Sequence, residues 1–558
     1  MIVLSVGLTA LLLGAWYTGY VACRQVHTVT TTETTFRGQV VTRAPPSPTS
    51  SLAAAGRGRG RGRGGRAAGT FAGRGKPSNV LIHGSKPSSS SSSSSSAAAA
   101  TEAAAVPERY AVLIDAGSSG SRVHVYSYRP AARSRRGHTA AATAPYPVVR
   151  LPGQIHRVTP GLSEFAPEGE GVVESLQPLI TFAQQQVPPR LHTSTPIRLL
   201  ATAGLRLLPE EQREAVLAAV RALLGGSGFR FRAEWVRVIS GDEEGLFAWV
   251  GINYAAGRLQ ALAREAASSP RRRDPGVMAG RAAATTLAVL ELGGASMQLT
   301  LMPWEALPRG LGTRLKLPGV DRPLYTHSFL GYGLQVAWFR EAMLVQQGGD
   351  NATDPCLHPG YSSYQSGVVG SGSFADCAAL AEQLIMVSTS SATSTATAGS
   401  SSSSNGGCSY ERCSIGGEYL PLLAPEKRTG GYGSAALLDP GSGGYLIMAT
   451  ESFYFTMDRL GLPANASLES LRTAGTRFCS RPWSDVEQEL VVGRGVSEEH
   501  ILKVCFGSAY IYTLLRQGFH MGPREAAYLR FSNAVERPDG SRVEVNWVLG
   551  ALMHQRST

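Results

Sequence analysis

Two stretches of the chain share one pattern, and this pattern restricts the fold more than any other feature of the sequence. "YAVLIDAGSSGSRVHVY" (residues 110–126) and "LAVLELGGASMQLTL" (residues 287–301) each pair two apolar strands across a bend of glycine and serine. In both, the first strand ends in an acid, Asp115 or Glu291. Apolar runs on either side of a glycine-rich bend predict a β-hairpin. The acids lie 176 positions apart (291 − 115), so the sequence predicts two related units of domain size.

The bends have the composition of anion-binding loops. Glycine lets backbone N–H groups approach an anion closely, and serine hydroxyls add further donors. The acid at each strand end is placed to hold a metal ion, directly or through water. Two such hairpins facing each other across a cleft would bind a polyphosphate from both sides.

The rest of the chain from residue 107 onward alternates strands with helical segments, which is typical of an α/β protein. Helices are predicted at residues 209–225 and 242–262. Together with the paired hairpins, this pattern resembles the actin, sugar-kinase and Hsp70 superfamily. The resemblance implies an α/β fold of two ribonuclease-H-like lobes, with the active site in the cleft between them.

A cluster of acids lies between the two hairpins. "WVRVISGDEEGLFAWVGINY" (residues 235–254) has Asp242, Glu243 and Glu244 at a predicted helix start. Acids in this position commonly only complement the helix dipole or cap the helix. Here they follow a strand and a glycine, which favours a carboxylate that deprotonates an attacking water. The sequence has no GxxxxGK[ST] motif, so a Walker-type ATPase is not supported.

Five segments between residues 107 and 553 resemble, in order, the signature regions of the apyrase family, the ecto-nucleoside triphosphate diphosphohydrolases. They are "DAGSSGSR", "ATAGLR", "SGDEEGLFAWVGINY", "LELGGASMQ" and "VEVNWVLGALM". The resemblance implies hydrolysis of the terminal phosphate of nucleoside tri- or diphosphates, with Ca²⁺ or Mg²⁺ and without a phosphoenzyme. The "SGSRVHVY" version is closer to the plant and endomembrane members than to the cell-surface ones.

The resemblance also implies a role for individual residues. Glu244 matches the catalytic base, and Asp115 and Glu291 match the acids that hold the cation through water. The positions that match the phosphate loops and the groups that position the nucleophile are Ser118, Ser119, Gly120, Ser121, Thr202, Gly293, Gly294, Ala295, Ser296 and Gln298. Family members also hold the base between an aromatic and a cationic side chain. Phe453 or Tyr454 is the candidate aromatic, whereas no cation is assigned, and Trp547 is interpreted as a packing residue.

Glu291 departs from the family pattern, which has aspartate at this position. The added methylene keeps the charge but moves it by about 1.5 Å, and a misplacement of about 1 Å can cost about 10²-fold in rate. Three low-complexity segments, at residues 129–149, 264–281 and 387–405, are predicted to be surface insertions. Together with the departure at Glu291, they leave open the alternative that the chain is a catalytically impaired nucleotide-binding protein. An exopolyphosphatase is the second alternative, because that family shares the hairpins and an acidic motif like "SGDEEG". A sugar or acetate kinase is disfavoured, since nothing in the sequence indicates an acceptor pocket.

The positive charge of the chain is concentrated in its first part. The net charge is +12, but residues 1–100 hold eleven Lys and Arg against one acid, and the remaining 458 residues hold 42 basic and 40 acidic side chains. The predicted folded part is therefore almost neutral, and no specific binding of nucleic acid is expected.

The composition predicts four regions. Residues 1–23 contain 22 consecutive uncharged residues, which predict a transmembrane anchor in preference to a cleaved signal peptide. Residues 24–106 are rich in Arg/Gly and Ser and predict a disordered stalk. Lobe I is predicted at residues 107–238, completed by 530–558, and lobe II at residues 239–529.

Cysteine usage predicts an oxidising compartment. Six of the seven cysteines lie in the last 210 residues: Cys356, Cys377, Cys408, Cys413, Cys479 and Cys505. They contain no CxxC pair, so three disulfides are predicted, with fifteen pairings open and buried free thiols as the alternative. Sequons at Asn351 and Asn465 fit the same compartment. We therefore expect a membrane-anchored protein in the lumen of the Golgi or another endomembrane, or outside the cell. The preferred nucleotide and the oligomeric state stay open.

Overall fold

The computed structural model describes residues 107–131, 146–166, 168–268, 282–318, 320–349, 352–363, 367–386, 408–424 and 446–557. The predicted anchor, the predicted stalk and the sequon at Asn351 lie outside the described residues. Within those ranges, every helix is too short or too polar to cross a bilayer.

The first sheet is built around the first hairpin. Its strands run in the order β3-β2-β1-β5-β6, with β4 also paired to β2. The strand bounds are β1 Arg109–Ala116, β2 Ser121–Arg129, β3 Val148–Val149, β4 Gln154–Val158, β5 Ile197–Ala201 and β6 Val236–Val238. Strand β1 is antiparallel to β2 and parallel to β5, and β5 is parallel to β6.

The second sheet is built around the second hairpin. Its strands run in the order β14-β13-β7-β8-β10-β9. The strand bounds are β7 Ala288–Leu292, β8 Ser296–Leu301, β9 Gly312–Leu317, β10 Val320–Leu330, β13 Ile447–Glu451 and β14 Leu529–Phe531. Strand β7 is antiparallel to β8 and parallel to β13, and β13 is parallel to β14. Two further pairs of short strands are β11 Thr353–Asp354 with β12 Val369–Gly370, and β15 Ala534–Glu536 with β16 Arg542–Glu544.

The two sheets have one topology. In each, the hairpin provides strands 1 and 2, an antiparallel third strand pairs with strand 2, and two later strands add in parallel beyond strand 1. Five strands of each sheet therefore have the order 3-2-1-4-5, and the sixth strand is β4, which also pairs with β2, in the first sheet and β9, which pairs with β10, in the second. The predicted α/β fold with two ribonuclease-H-like lobes is confirmed.

The helices fill the connections between strands. Their bounds are α1 Val172–Gln186, α2 Ala203–Arg206, α3 Glu210–Gly225, α4 Gly241–Ala255, α5 Arg258–Ser268, α6 Leu334–Gln346, α7 Phe374–Met386, α8 Ser452–Arg459, α9 Leu468–Cys479, α10 Trp483–Val486, α11 Glu498–Thr513, α12 Pro523–Ala526 and α13 Trp547–Ser557. The helix predicted at 209–225 agrees with α3. The single helix predicted at 242–262 is wrong: Gly257 adopts a φ of 71° and separates α4 from α5.

Helix α4 packs in the core shared by the two sheets. Every residue from Glu244 to Ala255 is buried, as expected for a helix that is apolar on all sides. Glycines on both helices permit a close crossing of α4 with α13: a methyl group at Gly251 would lie 2.9 Å from the carbonyl oxygen of Asn546, and one at Gly550 would overlap the carbonyl of Phe247. Trp547 is 4% exposed and lies on the ring of Phe247, in agreement with its interpretation as a packing residue. This packing fixes the orientation of α4.

The predicted lobe boundaries stay a prediction. The strands of the first sheet fall within residues 107–238, and helix α13 falls within 530–558. Helix α4, assigned by sequence to lobe II, packs against α13 as well as against β8 and β10.

The six cysteines form three disulfides, which confirms the prediction and excludes the free-thiol alternative in this structure. The pairs are Cys356–Cys377, Cys408–Cys413 and Cys479–Cys505.

Candidate active site

The two hairpins place their acids at equivalent positions. Asp115 is the penultimate residue of β1 and lies opposite Arg122 on β2. Glu291 is the penultimate residue of β7 and lies opposite Gln298 on β8. Each bend is closed in the same way, because its first glycine donates a backbone hydrogen bond across the tip at 3.0 Å.

The tips of the two hairpins meet. A methyl group at Gly294 would lie 2.5 Å from Oγ of Ser118, so the second tip directly faces the first. Ser119 is exposed at the first tip, while Gly120 and Ser121 are buried behind it. Ala295 and Ser296 are buried behind the second tip, next to Gly293 and Gly294. The predicted phosphate-loop residues therefore lie together.

Thr202 extends this group from the neighbouring strand. It follows β5 and precedes the short helix α2, and its backbone N–H donates to the carbonyl of Ala116 at 3.1 Å. Because β5 is parallel to β1, the carboxyl ends of both strands lie at one edge of the sheet. Thr202 is 5% exposed beside the first hairpin.

The start of α4 gives the adjacent acids Glu243 and Glu244 different surroundings. Ser240 caps the helix: its Oγ accepts the N–H of Glu243, and the Glu243 side chain accepts the N–H of Ser240, both at 3.0 Å. Arg237 also donates to Glu243 through two nitrogens, at 2.9 and 2.7 Å. Glu243 thus stabilises the N-terminus of α4. Glu244 takes no part in this cap and is only 8% exposed.

The Glu244 carboxylate lies in a network with the second hairpin. Arg206 donates to its Oε2, and Nε2 of Gln298 lies 3.3 Å from the same oxygen. Gln298 also donates to Oγ of Ser296 at 2.7 Å and contacts Oγ of Ser328 at 3.1 Å. The structure therefore brings the predicted base, Gln298 and Ser296 together.

Burial dominates the electrostatics of the three predicted acids. It raises the pKa of Glu244 to about 7, against the opposing charge of Arg206. It raises the pKa of Asp115 to about 6, against the charge and hydrogen bond of Arg122. Burial and then the charge of Glu244 raise the pKa of Glu291 well above its ordinary value. A carboxylate with a pKa near neutrality is suited to accept a proton from water.

The acids at the strand ends fit a divalent cation. Oδ1 of Asp115 and Oε2 of Glu291 are buried and have no hydrogen-bond partner among the described residues. Carboxylate oxygens are the ligands that Ca²⁺ and Mg²⁺ prefer, directly or through water. A cation held by water molecules between these acids would satisfy both oxygens.

Three charged residues of the site were missed by sequence reasoning. Arg206 ends the "ATAGLR" segment, and its place in that motif was the available signal for the cation beside the base. Arg122 pairs with Oδ2 of Asp115 at 3.1 Å, and its strand position opposite Asp115 was the available signal. Glu451 ends β13, and its charge raises the pKa of Asp115, Glu244 and Glu291. An acid just before a helix resembles a simple cap, so Glu451 had no distinguishing signal.

The candidate aromatic neighbours of the base lie on α8. Phe453 is fully buried among the apolar side chains of the second sheet's core. The ring of Tyr454 lies 5.4 Å from that of Phe455. The assignment of either ring to Glu244 stays a prediction.

Comparisons with known proteins agree with the motifs. The model of the GDA1/CD39 (nucleoside phosphatase) family matches residues 103–558. Probable apyrase 6 of Arabidopsis thaliana is 32% identical over 469 residues, which cover 81% of this chain and 73% of that protein. Ectonucleoside triphosphate diphosphohydrolase 1 of Rattus norvegicus is 27% identical over 465 residues, which cover 80% of each chain.

Among solved structures, the crystal structure of nucleoside triphosphate hydrolases from Neospora caninum aligns with a TM-score of 0.49 and 17% identity, covering 80% of this chain and 92% of that one. The family match spans both hairpins, the acidic helix start and the C-terminal helix. The chain therefore belongs to the GDA1/CD39 (nucleoside phosphatase) family and is a nucleoside phosphatase.

Proposed function

We propose that this nucleoside phosphatase removes the terminal phosphate of nucleoside tri- and diphosphates by direct attack of water, in a reaction that requires Ca²⁺ or Mg²⁺. The observation that carries the proposal is the contact of Glu244 with Arg206 and Gln298 beside two facing phosphate-type hairpins. The arrangement combines a buried base, anion-binding backbone and two carboxylate oxygens that have no hydrogen-bond partner in the described part of the chain.

Each group has a defined task in this proposal. Glu244 accepts a proton from the attacking water, because its carboxylate is buried and its pKa lies near 7. Arg206 holds that carboxylate in one orientation, and Gln298 with Ser296 positions the water. The backbone N–H groups of the two tips bind phosphate oxygens.

Asp115 and Glu291 would hold the divalent cation through water molecules. When bound, the cation neutralises charge on the transferred phosphoryl group and orients it for in-line attack. Arg122 keeps Asp115 in place, because it donates to Oδ2 of Asp115 and leaves Oδ1 without a partner among the described residues.

We also propose that the domain works in the lumen of the secretory pathway, anchored through residues 1–23, or outside the cell. The three disulfides support an oxidising compartment, because such bonds are rare in the reducing cytosol. The sequon at Asn465 is exposed, as a glycan acceptor must be. The test is the electrophoretic mobility of the chain expressed in eukaryotic cells, before and after treatment with an N-glycosidase. A mobility that the enzyme changes would support the proposed compartment.

One assay tests the reaction. Phosphate release is measured from ATP, ADP, GDP, UDP and polyphosphate, each with Ca²⁺, Mg²⁺ or EDTA. The proposal expects hydrolysis of at least one nucleotide and its loss in EDTA. Faster release from polyphosphate would favour the exopolyphosphatase alternative, and nucleotide binding without release would favour the catalytically impaired one.

A second measurement tests direct attack by water. Acid quenching during turnover of γ-³²P-labelled ATP should leave the protein unlabelled. A labelled protein would indicate a phosphoenzyme and contradict the proposed role of Glu244.

A further inference from the structure

Glu451 lies beside the second hairpin at the same edge of the sheet. Strand β13 is parallel to β7, with Thr450 opposite Glu291 and Glu451 opposite Leu292. Glu451 is therefore one residue beyond the level of Glu291, where β13 ends. Its backbone N–H donates to Oδ1 of Asn533 at 2.7 Å, which fixes the strand end.

The backbone at Glu451 is strained. Its φ of 57° and ψ of −121° lie in a region that L-residues rarely adopt. Glycine would adopt this conformation without steric cost. Strained non-glycine residues persist where the surrounding structure imposes them, and they cluster at functional sites. The retained side chain at Glu451 thus requires an explanation other than the turn into α8.

The carboxyl group of Glu451 interacts electrostatically with the acids of the site. Its charge raises the pKa of Asp115, Glu244 and Glu291. The guanidinium of Arg122 lowers the pKa of Glu451 itself, although burial has the larger effect and the net pKa is raised. Glu451 and Asp115 therefore share one cationic neighbour.

The charges of these cleft residues do not balance. Four carboxyl groups that interact with one another (Asp115, Glu244, Glu291 and Glu451) face the guanidinium groups of Arg122 and Arg206. In a buried site this excess of two negative charges is relieved either by protonation, as the raised pKa values of the four acids indicate, or by a positive group. A divalent cation supplies two positive charges. The oxygens of Asp115 and Glu291 that lack a partner within the described ranges independently indicate where the cation would lie.

We propose that Glu451 is the third acid of the divalent-cation site, acting with Asp115 and Glu291, and that it sets the affinity for the cation. The proposal rests on the cation dependence proposed above. Glu451 contacts the cation through its bound water molecules or directly. The strained backbone is the structural cost of turning this carboxylate into the cleft.

The test is isothermal titration of the full chain with Ca²⁺, in the presence of a saturating non-hydrolysable ATP analogue. Glu451→Gln should bind Ca²⁺ more weakly by about 10-fold or more, the range typical for groups that support a metal site. The matched control is Glu544→Gln. Glu544 is a neighbouring acid whose charge acts on Glu451 from β16, and its exposed side chain should leave Ca²⁺ affinity unchanged.

A second variant separates cation binding from folding. Glu451→Gly removes the carboxylate and also relieves the backbone strain, so its melting temperature in EDTA should not fall. It should nevertheless lose Ca²⁺ affinity to the same extent as Glu451→Gln. Wild-type Ca²⁺ affinity in both variants would overturn the proposal and leave the proposed function intact. A wild-type protein that binds the analogue but no Ca²⁺ would overturn both.

Discussion

Glu243 and Glu244 are adjacent in the chain, yet the fold gives them different partners. Burial raises the pKa of Glu243, but its hydrogen bonds with Arg237 and Ser240 outweigh burial and hold the pKa below its ordinary value. Glu244 is more deeply buried, and its pKa is raised to about 7. The residue that supports the helix is thus a poor proton acceptor, whereas its neighbour is a good one.

Glu244→Gln should lower the rate of nucleotide hydrolysis by about 10²–10⁴-fold, because the amide cannot accept the proton from water. Affinity for a non-hydrolysable ATP analogue should change little, since the shape and the contact with Gln298 are retained. Glu243→Gln is the matched control and should keep most of the activity. The measurement is kcat on ATP together with analogue affinity. An inactive Glu243→Gln beside an active Glu244→Gln would move the assignment by one residue.

Glu291 is the residue at which this chain departs from the aspartate of its family. Mg²⁺ requires near-ideal octahedral geometry at short distances, whereas Ca²⁺ accepts irregular shells at about 2.3–2.6 Å. We therefore predict that the protein favours Ca²⁺ over Mg²⁺ more strongly than Glu291→Asp does. The measurement is the ratio of the rates on ATP with each cation. Equal ratios would make Glu291 a neutral replacement, and an inactive parent rescued by aspartate would support the catalytically impaired alternative.

The sequence predicted the residues that lie inside a motif with its own chemistry. Asp115 and Glu291 stand out locally because each lies at the end of an apolar strand just before a glycine-rich bend, and Glu244 stands out because it directly precedes a glycine at a predicted helix start. Arg206 and Glu451 acquire their roles only through neighbours distant in the chain. Arg206 lies inside a motif, but it meets Glu244 across 38 positions, and the motif by itself does not show which acid Arg206 contacts.

At the scale of elements, the tip of the second hairpin packs against a glycine outside the hairpin. A methyl group at Gly333 would overlap the backbone of Gly294 and Ala295. The φ of Gly333 is −66°, so any residue could adopt its backbone, and only the close approach requires glycine. Gly333 therefore sets how far the second tip reaches into the cleft.

Gly333→Ala should displace the second tip and lower kcat/KM by about 10²-fold, the cost expected for a misplacement of about 1 Å. The fold should survive with a small loss in melting temperature. Gly225→Ala is the control, since the nearest atom to its added methyl would be in the Phe231 ring at 3.9 Å. Steady-state kinetics and a melting curve distinguish the effects. Unchanged kinetics in Gly333→Ala would mean that the tip makes no contact needed for catalysis.

Element positions were predictable where one periodicity persisted. The helix predicted at 209–225 matched α3, because its apolar positions recur at helical spacing and Gly225 ends it. The prediction failed at 242–262, where apolar residues lie on both sides of Gly257 and give no sign of a break. The left-handed backbone of Gly257 ends α4, and hydropathy alone does not report that conformation.

For the whole molecule, the sequence predicted the number of disulfides but not their pairing. Pairing depends on which helices adjoin: Cys377 on α7 reaches Cys356, and Cys505 on α11 reaches Cys479 at the end of α9. The duplicated topology was predictable, because two copies of one hairpin pattern imply two copies of one sheet. The crossing of α4 and α13 was not, since it joins segments about 300 residues apart through small residues that carry no periodic signal.

A buried pair of acids links stability of the whole molecule to pH. Glu341 on α6 is fully buried and Asp354 on β11 is 4% exposed, with a carboxylate oxygen of each within 4.8 Å of the other. Asp354 accepts the N–H of Cys356 at 2.7 Å and is thereby the better stabilised anion. Burial, followed by the charge of Asp354, raises the pKa of Glu341 to about 9. Glu341 is therefore protonated at neutral pH in the folded protein.

The folded protein then binds more protons than the unfolded chain between pH of about 4.5 and about 9. Its free energy of unfolding should fall as pH rises through this window, by up to about 1.4 kcal/mol per pH unit from this group. Glu341→Gln keeps a donor toward Asp354 but does not titrate. We predict that the melting temperature of Glu341→Gln, relative to wild type, rises from pH 5 to pH 8.5.

The exposed Asp376 of α7 provides the control, and Asp376→Asn should show no such trend. All melting curves are recorded in EDTA, so that divalent cations do not screen the pair. A difference that is constant with pH would mean that Glu341 is ionised in the folded protein, with its charge compensated within the fold.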